Sequence, residues 1–235
     1  MKNLLIRGSG FWRHFTILDP PGDLPVSPGG VVLTFDDGPV VNGDTTIRLL
    51  EVLAAEEVTA CFCVIGSLAE KRPLLLQAIH SGGHCIVNHG YQHIPPLFQQ
   101  SQAIADEIAR TDAVIGSVTG HGARWFRPPG GLISQKQRDF VGSIGKHILP
   151  LSFFALDTET QSHTAEGLVT RCIKQVSADG RGVVVFHEQK FITREESVPR
   201  HWLPQAVTAF IRRAKAAGMR FTPPDFVENR PERNH

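Results

Sequence analysis

At 235 residues the chain has the length of a single α/β barrel domain, and it can bury a large core without disulfides or structural metals. Its formal net charge of +1 gives no electrostatic reason to expect a nucleic acid or an anionic membrane as a partner. No stretch approaches the ~18 apolar residues of a membrane helix, and the apolar run 4–6 is too short for the core of a signal peptide. We therefore expect a cytoplasmic protein without a membrane span, and the sequence leaves its oligomeric state open.

The four cysteines show no metal-binding or redox spacing. Cys61 and Cys63 lie two residues apart in an apolar run and share one face of a predicted strand, while Cys85 and Cys172 are far from both. Zinc sites and redox motifs need CxxC-type spacing, which is absent here. We expect free, buried thiols.

The chain changes pattern at residue 31. The preceding segment 19–30 is rich in proline and glycine, so residues 1–30 are expected to form an irregular lead-in. From residue 31 to 222 strand-like and helix-like runs alternate, and the charged residues 223–235 are expected to form a flexible tail. The predicted strands are residues 31–36, 58–65, 84–88, 125–127, 148–156, 182–187 and 220–222.

This alternation predicts an α/β fold with parallel strands joined by right-handed crossovers. Both a doubly wound sheet and a closed barrel satisfy the pattern. Six or seven units within about 190 residues fit a compact (β/α) barrel with short loops. The default expectation is one domain.

Reactive side chains collect where the predicted strands end. They are Asp36 and Asp37 at the first strand, His89 and His93 after the third, Arg127 at the fourth, Asp157 after the fifth and His187 at the sixth. The carboxyl ends of the strands in a parallel α/β barrel converge on one rim. The sequence therefore predicts that these residues meet in one site.

Asp36 and Asp37 follow the apolar run 31–33. Neighbouring strand residues point to opposite faces, so the two carboxylates are expected to differ in role, one holding a metal and the other handling a proton. Gly38 and Pro39 then predict a turn that brings both within reach of solvent or substrate. An Asp-rich turn that only caps the strand is the alternative.

Two histidines, His89 and His93, fall on the same side of the chain if the segment between them forms one helical turn. Together with Asp37 they would offer a divalent ion two imidazoles and one carboxylate, which leaves positions for water and substrate as catalytic zinc requires. The zincin protease motif shares this outer spacing but needs Glu where the chain has Gly90. A metalloprotease of that type is therefore disfavoured.

Four segments follow one another along the chain: Thr34-Phe35-Asp36-Asp37-Gly38-Pro39, His89-Gly90-Tyr91-Gln92-His93, Arg127-Pro128-Pro129-Gly130-Gly131 and Val185-Phe186-His187. Together they resemble the ordered motifs of the polysaccharide deacetylase family, the NodB-like carbohydrate esterases. The resemblance covers residues 31 to about 222. It implies a distorted (β/α) barrel with six to seven parallel strands, which uses a divalent ion to remove acetyl groups from N-acetylated sugars.

The resemblance also implies a role for each matching residue: Asp37, His89 and His93 as metal ligands, Asp36 as general base, His187 as general acid, Arg127 as the residue that orients Asp36, and Gly130 as a backbone donor to the oxyanion. The chemistry is consistent with these roles. A bound zinc ion lowers the pKa of its water to about 7, and a histidine can protonate a departing amine near neutral pH.

Three motifs depart from the family pattern. Gly90 stands where the family usually has Ser or Thr, and Gly130 stands where it usually has an aromatic residue. A further motif of the family, which precedes Val185-Phe186-His187 and is normally Asp-x-x-Asp-Trp, keeps only its first Asp, as Asp157. We expect Asp157 to be the acidic partner of His187, with Glu159 and Glu188 as the other candidates.

The sequence thus predicts an N-deacetylase acting on an oligo- or polysaccharide that contains N-acetylglucosamine. The expected cofactor is one divalent ion, zinc first, since His and carboxylate ligands also accept cobalt, nickel or manganese. Two alternatives stay open. One is an amide or cyclic-imide hydrolase on the same barrel, and the other is a non-catalytic glycan-binding protein. The presence of Asp36 and His187 argues against the second, since binding needs neither a base nor an acid.

Overall fold

A computed structural model describes residues 17, 24–152, 165–193 and 196–224. Its centre is a parallel sheet of seven strands. These strands are β1 (Gly30–Gly38), β2 (Cys61–Val64), β3 (Cys85–Asn88), β4 (Trp125–Phe126), β5 (His147–Ile148), β6 (Gly182–His187) and β9 (Arg220–Phe221). Two further strands, β7 (Gln189–Phe191) and β8 (Ser197–Pro199), pair with each other in antiparallel fashion.

Helices connect the strands of the sheet. They are α1 (Thr45–Ala55), α2 (Gly66–Ala69), α3 (Pro73–Ser81), α4 (Ser101–Thr119), α5 (Gln135–Ser143), α6 (Ala165–Asp179) and α7 (Leu203–Ala216), with short 3-10 turns at Pro96–Phe98 and Pro129–Gly131. Local sequence sets several of their ends. Ser134 and Gln137 form a capping box that starts α5, and Gly120 ends α4 in the left-handed conformation at φ 82°.

The strand order is β5-β4-β3-β2-β1-β6, and β9 pairs with the beginning of β1. Beyond β5 the chain contacts β6. The backbone N–H of Ser152 donates to the carbonyl of Val183 at 3.1 Å. The Val183 N–H in turn donates to the Ser152 hydroxyl at 2.7 Å. These bonds bring together the two ends of the strand order, so the sheet curves into the distorted barrel that the motifs implied.

Alternate side chains of β1 belong to two different apolar clusters. Val31, Leu33 and Phe35 are fully buried in the cluster that includes the helices, whereas Val32 belongs to a second cluster with Cys61, Cys63, Val87, Leu149 and Val183. Burial of each large apolar side chain contributes roughly 1.5–3 kcal/mol. Asp36 has the same parity as Val32, so its side chain points to the inner side of the sheet, at the carboxyl end.

Most predicted strands are confirmed within a few residues, but some predictions are not. The strand predicted at 58–65 is only Cys61–Val64, and the one predicted at 148–156 is His147–Ile148 where the structure describes it. The β7–β8 pair was not predicted. The described part of the chain contains no helix long and apolar enough to cross a membrane. The divisions at 1–30, 31–222 and 223–235 remain predictions.

The four cysteines are free thiols, as predicted. Cys61, Cys63 and Cys172 are buried, whereas Cys85 is partly exposed, so burial of all four was wrong at that position. Cys85 lies at the first position of β3, opposite Cys61 of β2.

Candidate active site

The described site residues lie together at the carboxyl ends of the parallel strands. Asp36 is in β1 directly beside His187 of β6 in the strand register, and Asn88, which precedes His89, pairs with Phe126, which precedes Arg127. Asp36, Asp37, His89 and Arg127 are all buried, with relative exposures of 1–5%. The predicted convergence on one rim is confirmed for these residues.

Asp37 occupies an irregular position in β1. The pairing with β2 shifts register between Asp36 and Gly38, and Asp37 has a φ of 70°, which is uncommon for a residue other than glycine. This bulge turns the Asp37 carboxylate toward the side on which Asp36 lies. Nε2 of His89 is 3.5 Å from Asp37 Oδ1 and 4.0 Å from Asp36 Oδ2. Both carboxylates therefore reach one site, as the sequence predicted, and the bulge is what brings neighbouring residues of one strand to the same side.

The two histidines converge without a helical turn, so that part of the prediction was wrong. The segment between them has left-handed backbone at Gly90 (φ 74°), and His93 itself has a φ of 56°. Nδ1 of His89 is 2.7 Å from the carbonyl oxygen of Arg127. Because a carbonyl can only accept, Nδ1 carries the hydrogen, and in the neutral ring Nε2 keeps its lone pair for the site.

Asp37, His89 and His93 form a group that can hold a metal ion. Their ligand atoms all lie within 4.8 Å of one another, and His93 Nε2 is 3.0 Å from Asp37 Oδ1. Despite this proximity no donor among the described residues is aligned for a hydrogen bond to Oδ1, which is buried. An inward-facing buried oxygen of this kind, beside two imidazole nitrogens, fits a cation.

The charge state of Asp37 fits the same role. Burial by itself raises the pKa of the Asp37 carboxyl, but contacts with the imidazoles of His89 and His93 outweigh it, and the positive charge of His187 adds to their effect. The pKa therefore lies well below its usual range. Asp37 is thus an anion at neutral pH, as a carboxylate that binds a metal must be.

Arg127 holds Asp36 from the opposite side. Its Nη1 donates to Asp36 Oδ1 at 3.0 Å and to the hydroxyl of Thr34 at 2.6 Å, and its Nη2 donates to the carbonyl of Pro150 at 3.1 Å. The guanidinium is 1% exposed. These bonds fix Asp36 with Oδ1 on Arg127 and Oδ2 facing His89, so one oxygen remains available to accept a proton.

Of the other predicted site residues, the structure describes some and not others. His187 ends β6, and its charge acts on Asp37. Gly130 is exposed in the turn Pro129–Gly131, with a φ of 67° that glycine adopts at little cost. Asp157 and the alternative Glu159 lie outside the described residues, so the assignment of an acidic partner to His187 remains a prediction.

Glu188 is described, and its side chain lies against Thr46 and Gly38. Its side chain is fully buried and accepts a hydrogen bond from the hydroxyl of Thr46, against Gly38. A Cβ at position 38 would lie 1.9 Å from Oε1 of Glu188, so only glycine fits there. Burial, followed by the negative charges of Asp37 and Asp36, raises the pKa of Glu188 to about 8.

Gln189 and Phe191, which follow His187 in β7, contribute to the site and were not predicted from the sequence. The amide of Gln189 donates to the backbone carbonyl of Asp37 at 2.6 Å, and the hydroxyl of Ser197 donates to Gln189 Oε1 at 2.7 Å. The ring of Phe191 stacks on His93, with centroids 5.2 Å apart at an angle of 27°. The β7–β8 hairpin is thus attached to two of the three candidate ligands. The residues that follow His187, Glu-Gln-Lys-Phe-Ile-Thr, do not alternate between polar and apolar, so the sequence contains no periodic signal for this hairpin.

The chain is similar to known proteins over much of its length. It is 28% identical over 158 residues to the peptidoglycan-N-acetylglucosamine deacetylase PgdA of Listeria monocytogenes, covering 67% of this chain and 32% of the relative. The chain therefore spans about a third of that relative's length.

Two solved structures are similar in fold and sequence. The structure of the Bc1960 peptidoglycan N-acetylglucosamine deacetylase superposes with a TM-score of 0.72 at 25% identity, covering 85% of this chain and 88% of that one. A family 4 acetyl xylan esterase from Clostridium thermocellum, solved with a cobalt ion, superposes with a TM-score of 0.69 at 26% identity and covers 83% and 87%.

The family model described as polysaccharide deacetylase matches residues 23–149, which is more than half of the chain. This span contains Asp36, Asp37, both histidines and Arg127. The match, the parallel barrel and the convergence of these residues at one rim agree with one another. The chain belongs to the polysaccharide deacetylase family.

Proposed function

We propose that this protein is a metal-dependent hydrolase that removes N-acetyl groups from an oligo- or polysaccharide containing N-acetylglucosamine. One observation carries the proposal: the cation-binding group Asp37, His89 and His93 lies beside a second carboxylate, Asp36, that Arg127 holds in place. A metal site alone needs no second carboxylate. A hydrolase that activates water needs both.

Zinc is the ion we propose for the site. When bound, a divalent ion would activate water and polarise the acetamide carbonyl. Two imidazoles and one carboxylate are a common ligand set of catalytic zinc, although the same donors accept cobalt, nickel or manganese. The cobalt ion in the acetyl xylan esterase structure supports a divalent ion in this fold.

The residues around this site have separate tasks in the proposed reaction. Asp36 accepts a proton from the attacking water through Oδ2, because Oδ1 is bonded to Arg127. His187, on the neighbouring strand, donates a proton to the departing amine. The backbone N–H of Gly130 is the proposed donor to the carbonyl oxygen as negative charge develops there.

The proposed glycan follows from the similar proteins, two of which are named as peptidoglycan N-acetylglucosamine deacetylases. Phe191 offers an apolar ring at the site, stacked against His93. Such a ring can pack on the apolar face of a sugar.

The test is acetate release from N-acetylglucosamine oligomers by protein loaded with zinc or cobalt. Matched samples are chelated protein, Asp36→Asn and the exposed control Asp139→Asn. We expect release by loaded wild type and by the control, and none by the other two. A wild type that binds one metal ion but releases no acetate from sugars, while cleaving simple amides or cyclic imides, would contradict the glycan substrate. Glycan binding that is unaffected by Asp36→Asn and occurs without turnover would indicate a binding protein.

A further inference from the structure

A carboxylate outside the motifs holds the segment between the two histidines. Oε2 of Glu107, in the middle of α4, accepts hydrogen bonds from the backbone N–H of Tyr91 at 2.8 Å and of Gln92 at 2.7 Å. Both amides lie between His89 and His93. A single side-chain oxygen therefore fixes the backbone that sets the separation and direction of the two candidate ligands.

Other backbone groups of this segment are also paired. The carbonyls of Gly90 and Tyr91 accept from the N–H groups of Gly66 and Ser67, at 2.9 and 3.1 Å. The Gly90 N–H donates to the side chain of Asn88 at 2.9 Å. Asn88 Nδ2 in turn donates to the carbonyl of Ile108 at 2.9 Å and to Asp112. The loop is thus held between α2 and α4; Glu107 accepts from its backbone amides, and Glu70 accepts from the Tyr91 hydroxyl at 2.6 Å.

The carboxylate of Glu107 lies beside the Cα of Gly90. A Cβ at position 90 would lie 3.4 Å from Glu107 Oε2 and 3.4 Å from Pro129 Cγ. Glu107 therefore lies against the place where a side chain of residue 90 would begin. The family resemblance puts a Ser or Thr hydroxyl at that position, and this chain has none.

We propose that Glu107 is a positioning residue for the metal site and takes the place of the missing hydroxyl. Charged acceptors form the stronger hydrogen bonds with backbone N–H groups. Here they stabilise a loop with left-handed backbone at Gly90 and His93, which lacks the intrinsic support of a helix. Residues that orient metal ligands typically change metal affinity or activity 10- to 100-fold when they are lost.

This inference rests on the ligand assignment of the proposed function but not on the identity of the glycan. The variants are Glu107→Ala, Glu107→Gln and a control, Asp106→Asn, whose side chain lies on the exposed face of the same helix and accepts from Gln102. Glutamine keeps one acceptor oxygen and removes the charge. The control removes a charge from the neighbouring position without touching the loop.

Two measurements are made on each protein. Amide hydrogen exchange at Tyr91 and Gln92, in metal-free protein, reports the two hydrogen bonds directly. Competition with a chromophoric chelator gives the affinity for zinc or cobalt, and the visible spectrum of the cobalt form reports the ligand geometry. We expect Glu107→Ala to speed exchange at both amides and to weaken metal affinity about 10- to 100-fold. Glu107→Gln should lie between Glu107→Ala and wild type, and Asp106→Asn should match wild type.

Metal affinity of Glu107→Ala within about twofold of wild type, with an unchanged cobalt spectrum, would overturn the proposal. Unchanged exchange at Tyr91 and Gln92 would overturn the contact itself. If the alanine variant does not fold, Glu107→Gln decides, because wild-type affinity and spectrum in that variant would also refute the role. A wild type that binds no metal would refute the proposed function instead, and exchange in the variants would still show whether Glu107 holds the loop.

Discussion

The pair formed by Arg127 and Asp36 makes a quantitative prediction about stability. We expect Arg127→Met to lower the free energy of unfolding of metal-free protein by about 3–5 kcal/mol, the usual cost of removing one partner of a buried ion pair. The methionine keeps an unbranched apolar side chain but donates no hydrogen bond. It leaves Asp36 without its cation and also leaves the Thr34 hydroxyl and the Pro150 carbonyl without the bonds that Arg127 gave them.

The magnitude follows from the geometry of the pair. Unit charges 3.0 Å apart attract by about 5.5 kcal/mol at an effective dielectric constant of ~20. Most of this attraction offsets the cost of taking both ions out of water. If one partner is removed, the attraction is lost while the other charge stays buried without a counter-ion. If both are removed, the cost of burying the charges is lost together with the attraction. Asp36→Asn combined with Arg127→Met should therefore cost less than the sum of the single changes, by about 1–3 kcal/mol.

Urea unfolding of wild type, both single variants and the double variant, all in chelator, measures this coupling. Thr119→Ser, on the far end of α4, is a suitable control because its hydroxyl is retained and it lies away from the pair. The reasoning is refuted if the losses in free energy of unfolding of the two single variants sum to the loss of the double variant within about 0.5 kcal/mol. Arg127 would then be a packed side chain whose charge does not matter to Asp36.

Three further predictions concern the metal, the pH dependence and the packing. His93→Ala should weaken zinc affinity by more than about 100-fold, since even orienting residues account for 10- to 100-fold, whereas the exposed His121→Ala should match wild type in the same competition titration. Burial raises the pKa of Glu188 to about 8, above its unfolded value, so the folded state binds the extra proton and stability should fall as pH rises from about 4.5 to 8. Glu188→Gln should flatten this slope in urea unfolding of metal-free protein, and an unchanged slope would show that Glu188 is already ionised when folded. Gly66→Ala should destabilise by about 1–3 kcal/mol, because its Cβ would lie 2.6 Å from Thr111 Oγ1 and 2.7 Å from Tyr91 Cδ2. The helical control Gly142→Ala meets nothing within 4 Å and should stabilise by up to about 1 kcal/mol; equal effects of the two changes would contradict the packing.

The architecture was largely predictable because it rests on local patterns. The apolar runs that became β1 and β6 are long, and their polar residues stand at one end. That arrangement is sufficient by itself to place Asp36 and His187 on one rim. The limits of the short strands were harder to predict. β4 and β5 each contain two residues, too few for a periodicity to appear.

The geometry within the site was less predictable because it depends on contacts between distant parts of the chain. The bulge at Asp37 is accompanied by the bond from Gln189, which lies 152 residues later. The loop of His89 and His93 depends on Glu107, whose position in an amphipathic helix reads as an ordinary exposed residue. The burial of Glu188 requires the missing side chain of Gly38. None of these contacts leaves a periodic signal in the sequence.

The left-handed backbone of Asp37 also limits how this ligand can change during evolution or in the laboratory. Asparagine is one of the few residues that adopt a positive φ readily, whereas alanine or glutamate at φ 70° adds a backbone cost of about 1–2 kcal/mol to the loss of the ligand. Asp37→Asn is thus the replacement that separates ligand charge from chain conformation. In a relative that has lost its metal, an asparagine at this position would mark a preserved bulge. A residue that disfavours a positive φ would indicate that the backbone at the end of the first strand has a different conformation.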